Sequence, residues 1–66
     1  MHTELARIVM VPLRAPIKHA FEAYGDPTES YPDEDHPESI FYVFEPDDLY
    51  RVVIIEWKGL VHSVTY

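Results

Sequence analysis

The residues of this sequence that are best placed for chemistry are acidic, and they are concentrated in the middle of the chain. Residues 22–50 contain ten Asp and Glu residues and no Lys or Arg. Within this stretch, the run Asp33-Glu34-Asp35-His36 places three carboxylates next to an imidazole. These groups supply the oxygen and nitrogen ligands that metal ions use. Metal binding is therefore the first chemistry to consider.

The spacing of these residues does not match a metal-binding loop. If Asp33 were the first position of a calcium loop, Glu38 would stand at the turn glycine and Phe44 at the closing glutamate. The four His, at positions 2, 19, 36 and 62, show no close pairing of the kind found in zinc sites, and the chain has no Cys. We therefore predict no metal site and no cofactor.

Catalytic arrangements are not recognisable either. The Ser and His residues form no nucleophile elbow or triad pattern, and two glycines do not make a phosphate-binding loop. His62 and Ser63 are adjacent in a predicted strand, so their side chains point to opposite faces and cannot act as a pair. A chain of 66 residues also has a thin core that cannot enclose a deep active site. We predict no catalytic residues and no enzymatic activity.

The charge of the chain favours a different kind of binding. Twelve Asp and Glu against five Lys and Arg, with a net charge of -7, disfavour direct nucleic-acid binding, because Lys and Arg neutralise phosphates. Carboxylates two residues apart in an extended segment, such as Asp33 and Asp35, lie roughly 6.6 Å apart, at about 3.3 Å per residue, a spacing of the order of that between backbone phosphates. Arg and Lys side chains that hold phosphate accept carboxylates with similar geometry.

The acidic stretch is therefore interpreted as a nucleic-acid mimic that binds a basic nucleic-acid-binding protein. Acidic loops that only solvate a small domain are the simpler explanation of the same charge. The predicted partner-binding residues are the acids of residues 25–38, the tyrosine among them and a second acidic pair, namely Asp26, Glu29, Tyr31, Asp33, Glu34, Asp35, Glu38, Asp47 and Asp48.

The elements that position these residues are those of one small α+β domain spanning residues 1–66. β-Branched residues predict a first strand over residues 5–13. A short helix follows, with Pro16 at its first position and Gly25 as its stop, and with Ile17, Phe21 and Tyr24 packing on a sheet. Residues 25–38 contain three Pro and six acids, which predicts an acidic, Pro-rich loop.

The C-terminal half predicts three antiparallel strands. Residues 39–45 and 50–57 form a hairpin connected by residues 46–49, and Lys58-Gly59 turns into a last strand over residues 60–66. The order β-α-β-β-β predicts two layers, an antiparallel sheet with one short helix on one face. Residues 40–44 are apolar or aromatic on both faces, so we expect the helix to cover one face and the other to be partly exposed.

The absence of Cys favours a reducing compartment, and no apolar run approaches the roughly 20 residues that span a bilayer. The N-terminus does not look like a secretion signal. We expect a soluble, cytoplasmic monomer that binds no membrane.

In size, acidity, absence of Cys and compact α+β build, the chain resembles the small phage-encoded anti-CRISPR proteins of the DNA-mimic kind. The resemblance concerns the overall character of the chain and includes no aligned motif. It implies inhibition of a CRISPR effector complex in a bacterial host, by blocking the basic surface that binds DNA or reads the PAM. The alternative is a general protein-interaction module, antitoxin-like or subunit-like, that uses an exposed aromatic sheet face with Tyr42 and Trp57 as its test residues.

Overall fold

The computed structural model describes residues 10–48 and 50–66, which form one short helix and a four-stranded sheet. The elements are α1 at Lys18–Tyr24, β1 at Glu29–Pro32, β2 at Ser39–Asp47, β3 at Tyr50–Trp57 and β4 at Leu60–Thr65. The strands lie in the order β1-β2-β3-β4, and each neighbouring pair is antiparallel. An antiparallel sheet with one short helix agrees with the predicted α+β class.

The order of elements in the described residues differs from the predicted β-α-β-β-β order. Residues 5–9 of the predicted first strand lie outside the described residues, and residues 10–13 form no strand. The chain turns here instead: the Ala15 N–H donates to the Pro12 carbonyl at 3.3 Å, and Arg14 has a φ of 71°. Pro12 cannot donate a backbone hydrogen bond, which weakens a strand at this point. The order in residues 10–48 and 50–66 is α-β-β-β-β.

The first strand of the sheet lies inside the predicted acidic loop, which is a correction to the prediction for residues 25–38. In β1, Tyr31 pairs with Phe41 of β2, and their rings stack with centroids 5.3 Å apart and planes 3° apart. Pro32 is compatible with β1 because an edge strand needs no donor on its free side. The Pro and acid content is typical of a loop, but pairing with β2 overrides this local preference.

Helix α1 ends where the sequence predicts and begins two residues later than predicted. Ile17 is its N-cap, and Gly25 follows its last residue with a φ of 83°. This left-handed conformation suits glycine, and the Gly25 N–H donates to the Phe21 carbonyl at 2.8 Å. Ala20 and Tyr24 are buried. The helix is seven residues long, and no helix in residues 10–48 or 50–66 combines the length and apolar character needed to cross a membrane.

The two sides of the sheet are distinguished by the alternation of side chains along its strands. Phe44, Val52 and Ile54 are fully buried and share a core cluster with residues of α1. We call their side of the sheet the inner face. The opposite side, which carries Phe41, Ile55 and their paired neighbours, is called the outer face.

Both predicted turns of the meander are present. Lys58 and Gly59 connect β3 to β4 with φ values of 55° and 80°, the left-handed pair typical of a two-residue hairpin turn. At the β2–β3 connection, β2 extends to Asp47, so the turn is shorter than the predicted residues 46–49. β2 is therefore two residues longer than the predicted strand over residues 39–45, whereas β3 has the predicted bounds of residues 50–57.

Candidate functional site

The predicted acidic residues lie at the two ends of the sheet. Residues 33–38, which we call the acidic loop, connect β1 to β2 at one end. At the other end, Asp47 is the last residue of β2 and Asp48 lies in the turn that follows. Asp26 precedes β1, and Glu29 is its first residue, so both are nearer to this second end. At about 3.3 Å per residue, the nine residues of β2 separate the two ends by about 26 Å.

The acidic loop is a series of tight turns. The Asp35 N–H donates to Oδ1 of Asp33 at 2.9 Å, and the His36 N–H donates to the Asp33 carbonyl at 3.2 Å. The Ser39 N–H donates to the His36 carbonyl at 2.8 Å, and the Asp33 N–H returns to the Ser39 carbonyl at 3.0 Å. The prediction that Asp33 and Asp35 belong to an extended segment is therefore wrong, because the Asp33 side chain folds the backbone back on itself.

Carboxylates at both ends of the sheet face solvent. Six of the predicted acids are exposed and Asp33 is half-buried; the exposed ones are Asp26, Glu29, Glu34, Asp35, Glu38 and Asp48. Within residues 10–48 and 50–66, these seven carboxylates form no ion pair, whereas Glu45 pairs with Arg51 at 3.5 Å. Each end of the sheet therefore presents carboxylates that form no ion pair with a described Lys or Arg.

The outer face of the sheet presents a row of apolar and aromatic side chains. Tyr31 pairs with Phe41, and Phe41 pairs with Ile55 on the next strand. Tyr31 is 46% exposed and Trp57 is 42% exposed, while Phe41 and Ile55 are half-buried. Tyr31 is one of the residues predicted to bind the partner of the nucleic-acid mimic. The structure places it on the aromatic sheet face, which the sequence analysis assigned to the alternative, a protein-interaction module.

Tyr42 does not belong to this exposed surface, which is a correction to that alternative. It lies on the inner face, where its ring meets that of Phe21 edge-on at a centroid distance of 5.3 Å. Burial and a hydrogen bond with Glu56 raise the pKa of Tyr42. Side chains alternate between the two faces along β2, so the neighbouring Phe41 lies on the outer face. The sequence shows that residues 41 and 42 lie on opposite faces, and the packing of α1 decides which of the two is covered.

A groove forms where the acidic loop meets the outer face, and we call it the acidic groove. It has a volume of about 390 Å³. Its lining combines carboxylates and imidazoles with an apolar floor. The lining residues are Asp33, His36, Glu38, Ser39, Ile55, Trp57 and His62. The structure thus brings Asp33 and Glu38 together with side chains from β3 and β4, whereas Asp47 and Asp48 belong to the far end of β2.

Sequence reasoning missed four of the groove residues as site residues, namely His36, Ser39, Ile55 and His62. A register shift between β3 and β4 follows Ile55, so Ile55 pairs with Ser63 while Glu56 pairs with Val61. His62 lies within this irregularity, and its ring is 6.3 Å from that of Trp57, centroid to centroid. No local sequence signal marks this bulge, because it depends on the pairing of two strands.

The chemistry of the acidic groove suits an organic cation. Within the described parts of the chain, no three His, Asp or Glu residues are grouped so that they could hold a metal ion. No Lys or Arg lines the groove. The Trp57 ring already accepts an ammonium, since Nζ of Lys58 lies 4.6 Å from the ring centroid.

Comparison of the chain with protein-family models, with curated proteins and with solved structures finds no match.

Proposed function

We propose that this protein is an acidic binding module that docks on a basic, nucleic-acid-binding surface of another protein and acts as a nucleic-acid mimic. The observation that carries the proposal is the set of seven predicted site carboxylates, none of which has an ion-pair partner among the described residues. A nucleic-acid-binding surface is rich in Lys and Arg, which form charge-assisted hydrogen bonds with carboxylates as they do with phosphates.

The two-ended distribution of these acids supports binding to an extended surface. Carboxylates at both ends of β2, about 26 Å apart at about 3.3 Å per residue, reach two separate groups of cations on one partner. In this proposal the molecule has two layers, with α1 over the inner face, so that the outer face turns toward the partner. Long-range attraction between the opposite charges speeds the encounter.

The partner class that fits best is a CRISPR effector complex of a bacterial host, as the resemblance to the DNA-mimic anti-CRISPR proteins implies. Such complexes hold nucleic acid in a positively charged channel and read the short PAM with arginines. The protein would act as an inhibitor by occupying that surface. It has no catalytic role in this proposal.

The test is capture of partners from a nuclease-treated bacterial lysate on the immobilised chain. Nucleic-acid-binding proteins are expected to be retained in about 50 mM salt and released by about 0.5 M salt, because the contacts are electrostatic. Added duplex DNA is expected to displace them. The double variant Glu34→Gln, Asp35→Asn should lose the captured proteins, and the matched control Glu22→Gln, Glu45→Gln, which removes the same charge elsewhere, should keep them.

Retention that resists both DNA and high salt would contradict the mimic. So would equal capture by the two double variants, because the position of the charge would then not matter.

The outer face supports a second candidate, a protein-interaction module whose contacts are apolar. The specific observation is the stacked pair of Tyr31 and Phe41 beside the exposed Trp57. Aromatic residues are enriched at the centres of protein interfaces. Under this candidate, Phe41→Ser abolishes capture, whereas salt and the Glu34→Gln, Asp35→Asn variant leave it unchanged.

A further inference from the structure

We propose that the acidic groove binds one arginine side chain of the basic partner. This inference rests on the proposed function and names the contact at its centre. An arginine that normally holds a phosphate would insert between the carboxylates of Asp33 and Glu38, with its aliphatic stem on Ile55 and Trp57.

The lining of the groove suits a single long side chain. Its volume of about 390 Å³ lies near the lower end of the range of ligand pockets. The floor is the part of the outer face where Ile55 and Trp57 lie, and the acidic loop forms the wall. Apolar floor and acidic wall match the two parts of an arginine, a methylene stem and a charged planar head.

The charge and the aromatic ring favour a cation over an anion. Asp33 and Glu38 line the groove without an ion-pair partner among the described residues. Trp57 is the ring type that interacts best with cations, and it is 42% exposed. Phosphate groups would be repelled by the same carboxylates, so nucleotides and nucleic acid are excluded as occupants.

Ser39 provides an independent indication of a ligand. It is 7% exposed and lines the groove, and it pairs with Trp57, so the two side chains share the outer face. Its hydroxyl forms no hydrogen bond with another described residue. No fully buried polar side-chain atom in residues 10–48 or 50–66 lacks a partner, so this hydroxyl retains some exposure at the surface that Ser39 lines. It is placed to accept an N–H of the guanidinium.

The experiment uses the fluorescence of Trp57, which is the single Trp of the chain. The probe is a capped tripeptide, acetyl-Gly-Arg-Gly-amide, and the matched probe replaces arginine with citrulline, which has the same shape and no charge. The arginine peptide is expected to change the Trp57 emission saturably, with a dissociation constant of about 1 mM. The citrulline peptide is expected to cause no saturable change.

Two double variants locate the site. Asp33→Asn, Glu38→Gln is expected to weaken binding of the arginine peptide about tenfold, because both charge-assisted contacts are lost. Glu22→Gln, Glu45→Gln removes the same charge outside the groove and should bind within about twofold of the wild type. Circular dichroism of each variant verifies the fold. The inference is overturned if arginine and citrulline peptides give the same response, or if both variants bind alike.

This experiment and the lysate capture fail independently. Loss of the arginine response, with DNA-sensitive capture intact, would overturn the groove and leave the mimic standing. An intact arginine response without DNA-sensitive capture would overturn the mimic and support the groove alone.

Discussion

The inner and outer faces of the sheet contain the same kinds of residue but have different surroundings. On the inner face, Phe44 is fully buried and its ring lies 5.4 Å from that of Tyr24 on α1, centroid to centroid. On the outer face, Phe41 is half-buried and stacks on Tyr31, which is 46% exposed. The role of an aromatic residue in this protein therefore depends on what packs over it, and its residue type does not decide that role.

The difference extends to the charges at the edges of each face. The acidic loop borders the outer face, where it forms the wall of the acidic groove. Apolar area that is buried on the inner face stabilises the fold, at about 25 cal/mol per Å². The exposed area of the outer face does not stabilise the fold in this way, and under the proposed function the neighbouring acids favour a basic partner there.

The largest effect that tests this comparison is expected from two matched truncations. Phe44→Ala should lower the free energy of unfolding by about 3–5 kcal/mol, because it leaves a cavity in the core. Phe41→Ala should lower it by about 1–2 kcal/mol, because its ring is half-exposed and loses mainly the contact with Tyr31. Urea unfolding followed by circular dichroism measures both values.

A domain of this size has a free energy of unfolding of roughly 3–10 kcal/mol, so the loss expected for Phe44→Ala is comparable with the whole stability of the fold. The pair Phe44→Leu and Phe41→Leu preserves the comparison with smaller losses. Equal losses at the two positions would show that the outer face is as well covered as the inner one.

The second effect is a loss of stability in alkaline solution that originates on the inner face. Burial, together with a hydrogen bond to the Tyr66 hydroxyl at 3.3 Å, raises the pKa of Tyr24. The folded state therefore holds the Tyr24 proton more tightly than the unfolded state, whose tyrosines titrate near pH 10, at roughly their ordinary pKa. The contribution of Tyr24 to the free energy of unfolding is fully present below about pH 10. Above that pH the free energy of unfolding falls by up to about 1.4 kcal/mol per pH unit.

Urea unfolding between about pH 8 and about pH 11 measures this slope. Tyr24→Phe should make it shallower, and the remaining slope should come from Tyr42, whose pKa is also raised by burial. An unchanged slope in Tyr24→Phe would contradict the assignment.

The smallest effect concerns the acids beside the outer face. Asp33→Asn, Glu38→Gln should change the free energy of unfolding by less than about 0.5 kcal/mol, in the stabilising direction, because it relieves repulsion between like charges near the surface. The amide oxygen introduced by Asp33→Asn would still accept the Asp35 N–H, as the Asp33 carboxylate does in the wild type. Thermal unfolding at low and high salt measures the change, which salt should reduce. A large destabilisation would show that these acids support the fold itself.

Local sequence patterns predicted a large part of this fold. Gly25 stops α1 and Lys58-Gly59 turns the chain, because both positions require a left-handed backbone that few residues adopt. The aromatic and β-branched residues of β2 and β3 predicted the central hairpin because such side chains are enriched in strands. β1 escaped prediction because its stability comes from pairing with β2 and from the ring of Phe41, which local propensity does not report.

The sequence by itself determined the sign and position of the charge, the short helix and the alternation that gives the sheet two apolar faces. These properties follow from composition and from short-range backbone preferences. Only the tertiary structure decided which aromatic residues face outward and which carboxylates meet them. Asp33 and Glu38 join Trp57 and His62 in one groove because a tight loop and a strand bulge align three separate segments, and the register of strand pairing is a property of the whole sheet.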